Sequence, residues 1–140
     1  MPVSAYGATV DEGKMYFFKI GCPIGIEDHI HVCIHRGENV FLFAVCSSQV
    51  EKAKRRASVL GYDLRTYPIF AKDGVNLLSK DETYIDCNKP IETTHEEFSK
   101  LIQNGDVYEL KGFFGAGSLQ LIYEGIKASS LVEDRIKDLF

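Results

Sequence analysis

Apolar and polar positions alternate most cleanly between residues 29 and 36, where Ile30, Val32 and Ile34 point one way and His29, His31, Cys33 and His35 the other. That period of two predicts a strand buried on one face. The turn Arg36-Gly37-Glu38-Asn39 and the nearly continuous apolar run Val40 to Cys46 predict an antiparallel hairpin whose second strand is the more buried. An earlier strand is expected over Lys14 to Ile20, stopped at Gly21, and others over Arg65 to Phe70, Thr83 to Cys87 and Val107 to Leu110.

The period changes to that of a helix after residue 47. Ser48 and Glu51 have the spacing of a capping box, and Val50, Ala53, Ala57 and Leu60 form an apolar stripe that ends at Gly61. Thr94 and Glu97 repeat the signature ahead of Phe98, Leu101 and Ile102, with Asn104-Gly105 as the stop. The last third is helical: Leu119, Ile122 and Ile126 share one face, and Ser130 and Glu133 open a final helix with Val132, Ile136, Leu139 and Phe140 inward. Short strands with helices interposed and appended, without βαβ alternation, predict an α+β domain on an antiparallel sheet or small barrel. The 140 residues contain no repeat and no linker between two compositions, so a single domain over 1–140 is expected.

Composition narrows the class. The chain is 45% hydrophobic with 9 Phe and 7 Tyr, enough for a packed core, and its net charge of -4 argues against a generally basic nucleic-acid coat. No window approaches the apolar length of a membrane span and the first residues do not read as a secretion signal, so a cytoplasmic protein without membrane association is expected. Cys22, Cys33, Cys46 and Cys87 are widely spaced and mostly strand-borne, which predicts reduced thiols.

The hairpin HIHVCIHRGENVFLFAVCSS, the run LSKDETYIDCNKPIETTHEEF and the ending IYEGIKASSLVEDRIKDLF resemble, in their order over residues 14 to 140, the MazF/PemK-like family of small bacterial toxin-type proteins. The resemblance implies an SH3-like β-barrel with peripheral and C-terminal helices, usually homodimeric. It also implies a toxin-antitoxin endoribonuclease that cleaves single-stranded RNA without a metal or other cofactor, and an antitoxin as protein partner. It places a catalytic hydroxyl at the end of the second hairpin strand, at Ser47 or Ser48. Two family arginines are missing: the approach to the hairpin reads GCPIGIEDHIHV, and Ile91 follows Asn88-Lys89-Pro90. The chain thus looks like the divergent branch, and a noncatalytic barrel binding a protein or nucleic acid stands as the alternative.

The residues supply their own chemistry for such a site. Ser47 and Ser48 precede helix amides that point outward and favour an anion, and Arg36 would add charge. Of the hairpin histidines, mid-strand His31 is the expected acid/base group for a ribose 2′-hydroxyl, provided that the strand register brings it near Ser47. His29, His31, Cys33 and His35 cannot all reach one ion from a straight strand, so no metal site is expected. Lys52, Lys54, Arg55 and Arg56 place four cations on the solvent side of the first helix, suited to a nucleic-acid backbone, with Glu51 expected to pair with Arg55.

Overall fold

A computed structural model describes residues 10–140. Its elements are β1 (Lys14–Phe18), β2 (His29–Arg36), β3 (Val40–Ser47), α1 (Val50–Leu60), a 3-10 turn (Leu64–Thr66), β4 (Ile69–Ala71), β5 (Glu82–Ile85), β6 (Ile91–Thr94), α2 (His95–Gln103), β7 (Val107–Phe113), α3 (Ala116–Ala128) and α4 (Asp134–Lys137). The class is α+β, as the pattern predicts. Every strand pairing is antiparallel, in the order β4-β5-β3-β2-β1-β7. The hairpin partner β3 organises the sheet: β2 runs along one edge, while the other is shared by β6 at Val40 to Phe43 and by β5 at Cys46 and Ser47.

The sheet curls until its two ends meet. The loop after β4 is tied by Asp73, whose carboxylate accepts from the amides of Val75 and Asn76, and by Asn76, whose side chain bonds Ala71, Asp73 and Leu78. The Phe113 amide at the end of β7 donates to the Val75 carbonyl at 3.2 Å. The result is an antiparallel half-barrel. Contact is this close because residue 112 is glycine: a Cβ there would lie 1.9 Å from the Asn76 carbonyl oxygen. Gly112→Ala should therefore lose about 1–3 kcal/mol in urea unfolding, the scale of overpacking, while Gly74→Ala, which meets nothing within 4 Å, stays near wild type. Equal midpoints for the two variants would show that the closure carries no weight.

Both faces of β2 are buried, which corrects the expectation of one wet face. Val32 and Ile34 join Met15, Leu42, Ala44 and Cys46 under α3, whose Leu119, Ile122 and Ile126 face inward as predicted. His31 and Cys33 lie on the opposite face, among Tyr16, Phe18, Phe41 and Phe43, covered by Phe98 and Leu101 of α2. The Phe43 and Phe98 rings stack at 4.8 Å, and Tyr16 meets both edge-on. A bulge between Cys33 and His35 turns His35 onto the α3 face, where it meets Phe140. The four polar residues of the alternation therefore do not share one face.

Other departures have local causes. The Thr94–Glu97 capping box forms as predicted, with both reciprocal bonds present. Ser48 does not cap α1. Gln49 occupies the N-cap without a side-chain bond, because the Gln49 amide already donates to the Ser47 hydroxyl. Arg65 to Phe70 divides into the 3-10 turn and the short β4, since the Asp63 carboxylate captures the Arg65 amide. The last helix shrinks to one turn capped at Glu133, with Val132 and Ile136 buried but Leu139 exposed.

Candidate functional site

β3 leaves the sheet at Ser47, and the chain enters α1 three residues later, at Val50. A cleft of about 340 Å³ opens there, with Asp28, His29, Ser47, Ser48, Lys80 and Thr83 among its walls. The pairing of Ile30 with Cys46 makes His29 and Ser47 the next positions on the two strands. Asp28, at φ 59°, turns the chain into β2, and its amide donates to the Phe18 carbonyl. The His29 Nδ1 lies 2.9 Å from the Glu27 carbonyl oxygen; a carbonyl only accepts, so Nδ1 carries a proton and the lone pair of the neutral ring is at Nε2. Ser48 is exposed and its hydroxyl makes no hydrogen bond among the described residues. Lys80 forms no ion pair among them either. With no side chain capping α1, its first amides also point outward unsatisfied.

The cleft thus gathers an oriented imidazole, two hydroxyls and an ammonium, with the Asp28 carboxylate at its edge and the α1 amides in the adjoining depression: a proton acceptor beside donors suited to an anionic oxygen. Ser47 and Ser48 sit where the sequence places them. His31 does not. It is fully buried, stacked on Phe18 with centroids 3.9 Å apart, and both ring nitrogens are used: Nδ1 donates to the His29 carbonyl at 3.2 Å and Nε2 accepts from the Ile26 amide at 3.3 Å. Burial pushes its pKa down to about 4, so the ring is neutral and has no approach for substrate. The catalytic role expected for His31 is corrected on that ground.

Arg36 is also in the wrong place for this cleft. It pairs with Phe41, six positions from Ser47 and so about 20 Å away along the strand. The α1 cations are exposed, as expected, but Glu51 meets Lys54 at 3.5 Å rather than Arg55. Lys52 shares a shallow depression along α1 with Ser48 and Lys80, where Glu51, Asp81 and Glu82 also line the wall, so its charge is mixed. Arg56 turns away, against the Tyr67 and Tyr84 hydroxyls, and those contacts hold its guanidinium protonated. The sequence names His29 among the hairpin histidines but favours His31 over it, because the bulge is not legible there, and Lys80 has no signal because it lies in a loop without periodicity.

The cysteines are free and buried. Burial raises every thiol, that of Cys33 to about 12, which removes the thiolate a nucleophile needs. Native protein should accordingly resist alkylation and release four reactive thiols on denaturation without reductant; fewer than four would reveal a disulfide. Among the described residues no three His, Cys, Asp or Glu side chains group as metal ligands, and no helix is long and apolar enough to cross a membrane. Comparison with protein-family models, curated proteins and solved structures gives no match.

Proposed function

We propose that the chain is a toxin-type endoribonuclease that cleaves single-stranded RNA without a metal, at the cleft of His29, Ser47, Ser48 and Lys80. The observation that carries this reading is the His29 ring: the Glu27 carbonyl fixes its tautomer, and it lines the same cleft as two hydroxyls and the ammonium of Lys80, which has no ion-pair partner among the described residues. His29 Nε2 takes the proton from a ribose 2′-hydroxyl, and that oxygen attacks the adjacent phosphorus. The 5′-oxygen leaves and is protonated by the imidazolium or by water, giving a 2′,3′-cyclic phosphate and a 5′-hydroxyl. Lys80 and the open amides of α1 hold the phosphoryl oxygens as their charge grows.

Incubation with a long unstructured RNA in the presence of EDTA tests this, with 5′-hydroxyl ends as the expected product. Lys80→Ala should weaken RNA binding and flatten the dependence of log affinity on log salt by about one phosphate contact. An unchanged slope would remove Lys80 from the site. One observation favours the noncatalytic alternative: among the described residues the cleft holds a single histidine and no arginine. Wild-type protein that binds RNA yet leaves it intact with EDTA or with added divalent metal would establish that alternative. The family resemblance carries with it a homodimer and an antitoxin-type partner. Light scattering at micromolar concentration should give twice the 15.7 kDa chain mass.

A further inference from the structure

A second hollow lies on the other side of Ser47. It is a groove of about 520 Å³ between α1 and the sheet edge. One wall is the small-residue face of the helix, Ala53, Ala57 and Gly61, and Tyr62, Tyr67 and Tyr84 stand opposite. Tyr67 and Tyr84 meet edge-on at 5.5 Å, with Arg56 against their hydroxyls. Tyr84 is the cross-strand partner of Ser47, so the groove floor begins about 5 Å from the phosphate cleft.

We propose that this groove is a nucleobase subsite for a single-stranded nucleic acid whose phosphate occupies the cleft, an inference that rests on the cleft reading above. Three features select a flat aromatic ring on an anionic chain. The small residues of the helix wall leave room for a flat ring, and the partly buried Tyr62, above the buried Tyr67 and Tyr84, supplies ring surface that every base can use whatever its sequence. Two cations stand at the groove: Lys54 lines it, in an exposed pair with Glu51, and Arg56 reaches the Tyr67 and Tyr84 hydroxyls. The spacing from Tyr84 to Ser47 matches a ligand in which ring and phosphate are neighbours. Arg56, which has no aromatic neighbour in the sequence of α1 itself, acquires Tyr67 and Tyr84 through the fold.

The test uses the full chain and a fluorescein-tagged 2′-O-methyl oligoadenylate, whose blocked 2′-oxygen prevents cleavage, beside the same backbone with abasic sugars. Fluorescence anisotropy should show the base-bearing strand bound about 5-fold to 100-fold more tightly than the abasic one. Tyr62→Leu, which removes ring surface, and Ser58→Leu, which fills the groove from an exposed helix position, should each abolish that preference while binding the abasic strand normally. Lys80→Ala should weaken both strands alike. A preference retained in both groove variants, or none in the wild type with Lys80-dependent binding intact, overturns the subsite and leaves the cleft standing. A Tyr62-dependent preference in a chain that never cleaves RNA supports the subsite and removes the nuclease reading. If neither strand binds, both fall. Tyr62-dependent binding of an acidic glutamate-leucine peptide in place of the oligonucleotide makes the groove a protein-docking surface and overturns the proposal.

Discussion

His29→Ala should lower RNA cleavage by roughly 10²–10⁴-fold and leave folding intact, whereas His31→Phe should cost less than about tenfold at neutral pH. The two histidines are two residues apart on one strand, and their environments separate them. His29 is half-buried at the mouth of the cleft, and its one side-chain bond goes to the Glu27 carbonyl, which water can satisfy after truncation. His31 has no solvent exposure, and a phenyl ring can keep its stack on Phe18. Single-turnover cleavage of one RNA by both variants, with circular dichroism as the folding check, decides the assignment. Full activity in His29→Ala together with loss in His31→Phe would return the role to the buried ring.

That assignment turned on one bulge. The pairs Arg36–Phe41 and His35–Leu42 are in one register, and Cys33–Phe43 is already shifted by one. Without the shift Ile30, an aliphatic residue, would stand opposite Ser47; with it, His29 does. The alternation from 29 to 35 establishes that a strand exists there, but side chains of period two exchange faces with a single inserted residue. Burial was misread for a related reason. An alternating strand implies one wet face only if nothing covers it, and the cover over His31 and Cys33 comes from Phe98 and Leu101, more than sixty residues away. The elements with local signals were legible: the hairpin, the Thr94–Glu97 box and the stripe of α3. The strand β6, Ile91–Thr94, was not, because it is four residues long and held by pairing with β3. Lys80 belongs to a loop that only the fold brings beside Ser47.

Stability should fall as pH drops from about 6.5 toward 4, by about 3 kcal/mol from His31 alone. The folded chain holds this ring neutral down to about pH 4, while the unfolded chain protonates it near 6.5. Between those values the unfolded state binds more protons, so acid favours unfolding; above about 6.5 the contribution is complete, and below about 4 it is gone. The cause is the burial of the ring, which penalises the charged form and outweighs the opposing hydrogen bond to the His29 carbonyl. Protonation of Nε2 also destroys the acceptor of the Ile26 amide, one of the bonds, with those of Lys19 to Asp106 and Asp28 to Phe18, that tie residues 19–28 to the sheet. The same segment carries the Glu27 carbonyl that orients His29, so the neutral buried histidine positions the exposed one. Urea unfolding of wild type and His31→Phe at pH 7 and 4.5 isolates the effect, because the carboxylates titrate in both proteins. The variant should start lower at pH 7, with the Ile26 amide unpaired, yet lose less in acid. Parallel pH profiles would mean that His31 takes up its proton as readily in the folded chain as in the unfolded one, and that the orientation of His29 has another source.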